Sequence, residues 1–176
     1  MSRLCLCILL ITVSCVGQNT GYVVSILAGA DRLNDGHSAL NTLLRRPEGV
    51  AVDAAGNLYV SDSLDNRVRM VTAGIVSTVA GNGESGYAGD GGRATLALLD
   101  SPGSIVSDPA GNLYIAAQAN NVIRLLTPAG KISTYAGDGL SVYNGENLPA
   151  TQAQFAPQAL ALDSRGNLYV SDLANH

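Results

Sequence analysis

Acidic residues recur at equivalent positions along this 176-residue chain and are its first candidates for chemistry. Asp35, Asp90 and Glu146 each stand four residues before an alanine that opens a short run in a long linker. Carboxylates at such positions either accept hydrogen bonds from the free N–H groups of a helix start, or bind a metal ion or another ligand. We favour the helix-start interpretation and keep the other open, with Tyr87 and Tyr143 of the same linkers as further candidates for a partner-binding surface.

A second set of carboxylates lies 55 residues apart, each at the start of an Asp-x-x-Gly sequence. A type I turn favours aspartate at its first position, proline at its second and glycine at its fourth, where φ is positive. The aspartates are therefore expected to hydrogen-bond their own loops rather than hold a metal ion. The predicted structural turn residues are Asp53, Gly56, Asp108, Gly111, Asp163 and Gly166.

Histidine is too scarce to predict a catalytic centre. A catalytic metal site needs about three converging protein ligands, and the two histidines, His37 and His176, lie far apart in the chain. Gly81 to Gly86 matches a dinucleotide fingerprint, but no helix is predicted to open directly from it. We therefore predict no catalytic residue, no metal site and no cofactor.

The elements that position these residues repeat with the same 55-residue period, which indicates a repeat architecture. Each full repeat contains four short β-branched or apolar runs separated by tight turns, and four-stranded antiparallel units at this interval are the blades of an all-β propeller. In the first repeat, strands are predicted at residues 49–53, 67–72 and 75–81, and the Asp53 turn is predicted to lead into a further strand in the run from Leu58 to Asp62. Corresponding runs lie at residues 22–28, 104–108, 122–127, 132–137 and 159–163, and the first of them matches the run at 75–81.

Charge and the amino-terminal segment bear on location. The formal charge is −4 and no basic cluster extends beyond Arg45 and Arg46, so nucleic-acid binding is not expected. Residues 1–17 are predicted to be a cleaved secretory signal peptide, because their apolar run is too short to span a membrane. All three cysteines fall inside this segment, and lipidation of Cys15 is the alternative to cleavage. The protein is thus expected to be periplasmic or extracellular, with no membrane span.

The residues from Pro47 to Asp62, followed by Asn66 and the strand Arg67-Val68-Arg69, resemble the NHL repeat, and the third copy ends in the Asn-His dipeptide that begins that name. Copies one and two have Asp65-Asn66 and Asn120-Asn121 at that place, and Ala117 replaces the aspartate found in the other two. The resemblance, to exported bacterial members, implies a propeller that usually has six blades. Its members include protein-binding modules, extracellular sensor domains and a metal-dependent amidating lyase.

Residues 18–176 are expected to form an incomplete arc of about three blades, and the protein to continue past His176. The linkers are longer than a blade crossing requires: about 20 residues join Gly81 to Pro102 where about five would reach. Part of the excess is predicted to be helical, at residues 94–99 and 150–155. We predict a non-enzymatic module that binds a protein or glycan through this linker face. The alternative is a metal-dependent lyase or hydrolase whose ligands lie in other blades.

Overall fold

The computed structural model describes residues 11–12, 23–24 and 35–175, and these residues form β-strands joined by turns and linkers. Two short strands, β1 and β2, pair antiparallel, and β2 contains the only described part of the strand expected near residues 22–28. The next four strands form an antiparallel sheet in sequence order, which we call blade 1. The strands are β1 (Ile11–Thr12), β2 (Val23–Val24), β3 (Pro47–Val52), β4 (Leu58–Asp62), β5 (Arg67–Thr72) and β6 (Ile75–Ala80).

Blade 2 repeats this sheet, and blade 3 contains its first two strands within the described part of the chain. The prediction of four-stranded antiparallel propeller blades is confirmed. The first strand of each blade, which we call its inner strand, begins about two residues earlier than predicted. It starts at a proline, which is tolerated as the first residue of a strand. The strands are β7 (Pro102–Ser107), β8 (Leu113–Ala117), β9 (Val122–Leu126), β10 (Ile132–Ala136), β11 (Pro157–Leu162) and β12 (Leu168–Asp172).

The predicted helical runs shrink to single 3-10 turns. Residues 94–99 and 150–155 were expected to be helical, but Ala97 and Ala153 already have extended backbone. The carbonyl groups of Ala97 and Leu99 accept hydrogen bonds from Asn82 and Gly86 instead of continuing a helix. The 3-10 turns are Ala39–Asn41, Ser63–Asp65, Ala94–Leu96, Gln118–Asn120 and Ala150–Gln152.

The Asp-x-x-Gly turns join the first two strands of every blade in the same way. Gly56 has a φ of 83°, and its N–H donates to the carbonyl of Asp53 at 3.0 Å. The Asp53 carboxylate accepts bonds from the N–H and side-chain amide of Asn57 and from the hydroxyl of Tyr59. The same contacts recur at Asp108 and Asp163.

The main core lies between blades 1 and 2. Val68 of β5 packs in one cluster with Ile105 and Ile115 of blade 2, and Leu99 of the linker is part of that cluster. The inner strands approach so closely that a Cβ atom at Gly49 would collide with the carbonyl oxygen of Gly103. Packing between neighbouring blades therefore depends on both the linker and this glycine.

The first two linkers also cover the outer edge of the blade that follows them. Gly36 and Ala39 donate to carbonyl groups of Val76 and Gly74 at the edge of β6. The next linker bonds to the edge of β10 in the same way: the N–H of Gly91 donates to the carbonyl of Ile132, and that of Ala94 donates to the carbonyl of Gly130. An exposed sheet edge is a template for unwanted pairing, so this cover accounts for much of the linkers' length.

Candidate functional site

A buried arginine anchors the linker of blade 2. Arg124 on β9 is fully buried, and its guanidinium donates to the carboxylate of Asp90 at 2.5 Å. The other oxygen of Asp90 accepts the N–H of Thr134 on β10 at 2.9 Å. Burial raises the pKa of Asp90, but the hydrogen bonds from Thr134 and the positive charge of Arg124 outweigh it, so that the pKa is lowered overall. Asp90 is therefore held ionised across the two outer strands.

Tyr87 completes this arrangement. Its ring lies over the Arg124 guanidinium, 5.2 Å from ring centroid to Cζ, a distance suited to a cation–π interaction. Its hydroxyl lies 2.6 Å from the hydroxyl of Thr134. Half of the tyrosine stays exposed. Tyr87 and Asp90 are thus brought together, as the outer cover of one buried cation.

Blade 1 carries the equivalent arrangement at Asp35. Buried Arg69 on β5 donates to Asp35 at 2.7 Å and lies 3.6 Å from the carboxylate of Asp65. Asp35 also accepts the N–H of Thr78 on β6 at 2.9 Å. The linker acid and the arginine of the third strand therefore form a pair in both complete blades.

The helix-start interpretation of these acids is wrong, because no side chain caps any of the three turns that follow them. The residue before the Ala94–Leu96 turn is Arg93, and no side chain caps that turn. Asp90 instead reaches the outer strands, and the N–H of Ala94 at the start of that turn donates to the carbonyl of Gly130. Sequence reasoning also missed Arg69 and Arg124, although both lie 34 residues after their acids, a spacing that could have revealed the pairs.

The third linker places Tyr143 and Glu146 differently. Both residues are exposed, and the backbone N–H of Tyr143 donates to the side chain of Asn175 at 3.0 Å. Within residues 35–175, no hydrogen bond or ion pair is formed by the Glu146 side chain. The five predicted partner-surface residues thus lie in three linkers, and each linker contacts its own blade.

A separate polar cleft of 590 Å³ lies where the inner strands of the three blades begin. We call it the polar cleft. The residues Arg46, Pro47, Glu48, Ser104, Gln118, Gln158 and Ala159 line it. Sequence reasoning did not identify it, although Glu48 and Gln158 both follow the proline that starts an inner strand.

The charged residues of the polar cleft are paired with each other. Arg46 Nε lies 2.8 Å from the Glu48 carboxylate, which also accepts a bond from the hydroxyl of Ser63 at 3.0 Å. The side-chain amides of Gln118 and Gln158 meet only at 3.5 Å, a distance at which a hydrogen bond is weak. These two amides therefore keep capacity to bind a ligand.

Buried polar groups hold the polar cleft in place. Asp62, at the end of β4, accepts the backbone N–H of Arg46 at 2.8 Å and that of Arg45 at 2.9 Å. Burial raises the pKa of Asp62, and these hydrogen bonds oppose the shift. Ser61 accepts the N–H of Gly49 and donates to the carbonyl of Gly103 at 2.6 Å, which ties two inner strands together.

Metal binding and membrane crossing each require a recognisable structural feature. In the part of the chain that the structure describes, no group of three or more His, Cys, Asp or Glu side chains is placed to hold a metal ion. His37 is exposed in the first linker, whereas His176 lies outside the described residues. No described helix is long and apolar enough to cross a membrane.

Comparison with known proteins identifies the repeat. The NHL repeat profile matches residues 44–69, which include β3, β4 and Arg69. The chain therefore carries an NHL repeat, as its sequence predicts, and the fold confirms a propeller. Mouse teneurin-3 is 35% identical over 107 residues, a stretch that covers 52% of this chain and 4% of teneurin-3.

Two solved structures from Bacteroides resemble the fold. An auxiliary nutrient binding protein from Bacteroides ovatus matches with a TM-score of 0.59 and 25% identity, over 72% of this chain and 35% of that one. A Bacteroides thetaiotaomicron protein of unknown function matches with a TM-score of 0.67 and 22% identity, over 86% of this chain and 37% of that one. The chain thus spans 35% and 37% of these two structures.

Proposed function

We propose that this chain is an exported, non-enzymatic binding module for a neutral, hydroxyl-rich ligand of the glycan class. The observation that carries the proposal is the polar cleft, which receives uncharged side chains from successive blades: Ser104 and Gln118 from blade 2 and Gln158 from blade 3. Its volume of 590 Å³ is typical of small-ligand sites, which span about 300–1,000 Å³.

The chemistry of the polar cleft favours a neutral ligand. Each glutamine side chain offers an acceptor oxygen and two donor hydrogens, which match the paired donor and acceptor character of sugar hydroxyl groups. The ion pair between Arg46 and Glu48 cancels the only charges that line the cleft. A charged ligand would therefore find no uncompensated counter-charge there.

The linker surface is proposed as a second contact region. Tyr87 and Tyr143 remain 50% and 56% exposed, and tyrosine rings offer apolar area together with a polar tip. Asp35, Asp90 and Glu146 are also exposed enough to meet a ligand. We expect this region to add contacts for a longer glycan rather than to act alone.

Export is proposed from the sequence of residues 1–17, most of which lie outside the described residues. The mature amino terminus should lie near Gln18, and mass spectrometry of the secreted product would check this. An acylated Cys15 would make the protein a periplasmic or surface lipoprotein instead. A chain retained uncleaved in the cytosol would contradict both forms of the proposal.

Binding is tested with a panel of neutral oligosaccharides, followed by calorimetric titration of the best one. Gln118→Ala and Gln158→Ala should each weaken binding about tenfold, because each removes side-chain hydrogen bonds to the ligand. Ser164→Ala, at an exposed polar residue of the turn between β11 and β12, lies outside both the polar cleft and the linkers; it is the control and should bind as the unchanged chain does. Equal binding by all three variants, or no binding to any neutral glycan, would contradict the proposal.

A further inference from the structure

The linker between blades 1 and 2 contains an Asn-Gly dipeptide, Asn82-Gly83, just after the end of β6. The side chain of Asn82 folds over the residue that follows it, because its Oδ1 atom accepts the N–H of Glu84 at 2.8 Å. The ring closed by this hydrogen bond contains both the side-chain carbon Cγ of Asn82 and the backbone nitrogen of Gly83. The bond therefore fixes the carboxamide beside that nitrogen.

The turn requires glycine at position 83. Gly83 has a φ of 97°, a conformation that residues with side chains rarely adopt. A Cβ atom there would also lie 2.5 Å from a nitrogen of the Arg67 guanidinium, closer than atoms can approach. That guanidinium is held in place, since it donates to Asp65 at 2.7 Å and to the carbonyl of Asn82 at 2.6 Å. The asparagine is therefore followed by the one residue type that gives its carboxamide no steric protection.

The carboxamide and the neighbouring nitrogen are not engaged elsewhere. Among the described residues, no hydrogen bond is donated by the N–H of Gly83 or by the side-chain amide of Asn82. Both residues are half-buried, and Glu84 and Ser85 beside them are exposed, so water reaches the turn. A donor aimed at an oxygen that gains negative charge stabilises a tetrahedral intermediate, and the N–H of Glu84 is such a donor for Oδ1.

The same turn in the third linker contains an aspartate. Asp138-Gly139 follows β10 as the Asn-Gly dipeptide follows β6, and its glycine has the same φ of 97°. The Asp138 carboxylate accepts the N–H of Leu140 at 2.9 Å, in the geometry that the Asn82 carboxamide adopts. The fold therefore accepts a carboxylate at this position of the turn.

We propose that Asn82-Gly83 is a site of spontaneous deamidation, which converts this amide into a carboxylate. The nitrogen of Gly83 bonds to Cγ of Asn82, and its proton passes through water to Nδ2. The Cγ–Nδ2 bond breaks and ammonia leaves. Water then opens the succinimide at either carbonyl, which yields aspartate or isoaspartate. The net reaction consumes one water molecule, releases one ammonia and changes no oxidation state. It requires no ligand and does not depend on the polar cleft.

The two products differ in their effect on the linker. Aspartate keeps the backbone and adds a negative charge near Arg67, which already binds the carbonyl of the same residue. Isoaspartate lengthens the main chain by a carbon atom between the N–H of Asn82, which donates to the carbonyl of Ala97 at 3.1 Å, and the following glycine. We therefore expect the isoaspartyl form of the chain to melt at a lower temperature than the unmodified chain.

The full chain contains its own control, Asn144-Gly145, which is the other Asn-Gly dipeptide of the sequence. The Asn144 amide is held on both sides: Nδ2 donates to the carbonyl of Gln152 at 2.8 Å, and Oδ1 accepts the N–H of Gln154 at 3.1 Å. This amide must break both bonds before ammonia can leave. Asn82 should therefore be converted several times faster, although Asn144 is the more exposed of the two.

The chain is incubated in mildly alkaline buffer and sampled over several weeks. Peptide mass spectrometry measures the conversion of amide to acid at both sites, and electron-transfer fragmentation separates aspartate from isoaspartate. Asn82→Gln should abolish conversion at that position, because its longer side chain must close a larger ring. Asn82→Asp should fold and melt as the fresh chain does, whereas an aged sample rich in isoaspartate should melt lower.

Three results would overturn the proposal. The first is conversion at Asn144 that equals or exceeds conversion at Asn82, because exposure rather than the turn would then set the rate. The second is an Asn82 amide that stays intact throughout the incubation. The third is unchanged conversion in the Asn82→Gln chain, because it would indicate direct hydrolysis without ring closure. Failure of glycan binding would leave all of these measurements unaffected.

Discussion

The pentapeptide Leu-Tyr-Val-Ser-Asp occurs twice as a second strand, as β4 in blade 1 and as β12 in blade 3. All five residues are buried in β4, whereas those of β12 alternate between half-buried and exposed. Intrinsic strand propensity is identical in the two copies, so the difference comes from the neighbours. Strand β4 lies between β3 and β5, whereas among the described residues β12 pairs with β11 alone. The burial of a strand in this fold is a property of the arc of blades rather than of its sequence.

The same contrast holds for the linkers. Asp35 and Asp90 are fixed on buried arginines of the outer strands, whereas Glu146 has no such partner among the described residues. Each repeat places an acid at the same linker position. The ion pair forms where the third strand of the neighbouring blade supplies a buried arginine.

The largest expected effect separates the two tyrosines of the repeated pentapeptide. Tyr59→Ala should lower the free energy of unfolding by about 3–4 kcal/mol, because it removes a large buried ring and leaves a cavity. Tyr169→Ala should cost under about 1 kcal/mol, because that ring is mostly exposed. Urea denaturation of both variants measures the difference. Equal losses would show that the two strands are equally enclosed.

Linker acids give the next largest contrast. Asp90→Ala should cost about 2–3 kcal/mol, since it leaves the buried guanidinium of Arg124 without its counter-charge. The value is below the usual range for a fully buried pair because Asp90 itself is half exposed. Glu146→Ala should change stability by under about 0.5 kcal/mol. Thermal denaturation is the measurement, and a large loss at Glu146 would contradict the contrast.

The two serines of the pentapeptide test hydrogen bonding at a smaller scale. Ser61→Ala should cost about 1–2 kcal/mol, because the N–H of Gly49 and the buried carbonyl of Gly103 lose their hydroxyl partner. Ser171 is exposed and accepts one bond from the N–H of Ala159, so Ser171→Ala should cost about 0.5 kcal/mol or less. The two substitutions are compared by urea denaturation. A reversed order would show that the hydroxyl of Ser61 is not bound as described.

The smallest effect should be the same in both blades, because it depends on local contacts. The side chain of Asn57 lowers the pKa of Asp53, and that of Asn167 lowers the pKa of Asp163, in each case from a usual value of 3.8. A lowered pKa in the folded state adds stability above the unfolded value, and that stability disappears as the pH falls through the folded value. Stability should therefore decline below about pH 4.

Asp53→Asn and Asp163→Asn should each reduce this acid-dependent decline by a similar amount. The measurement is urea denaturation at a series of pH values from 6 down to about 2.5. A decline that only one of the two substitutions affects would show that the turns differ between the blades. An unchanged decline in both variants would remove the proposed role of these carboxylates.

Local features of the fold could be predicted from the sequence. The Asp53 and Asp108 turns depend on residues within a few positions of each other, and the strand runs of blades 1 and 2 carry their own apolar pattern. The bounds of β5 match the prediction in full. Because these strand patterns repeat every 55 residues, the sequence also predicted a propeller of similar blades, in agreement with the family resemblance.

The candidate sites were harder to predict because distant residues build them. An arginine in a strand is usually placed on a solvated face, and the burial of Arg124 depends on Asp90 in the preceding linker. The polar cleft brings Gln118 and Gln158 together only when the inner strands of neighbouring blades lie side by side. The prediction of a helix at residues 94–99 was wrong for a related reason. The carbonyl groups of Ala97 and Leu99 accept hydrogen bonds from Asn82 and Gly86, which lie earlier in the same linker.

Hydrogen–deuterium exchange of the repeated pentapeptide tests the central contrast most directly. Peptic fragments that contain β4 and β12 differ in their flanking residues, so mass spectrometry can follow both in one sample of the unchanged chain. The account predicts that the amides of residues 58–62 exchange slowly, because paired strands flank β4 on both sides, and that part of residues 168–172 exchanges much faster. Equal protection of the two strands would contradict the account, because it would mean that β12 is enclosed as β4 is.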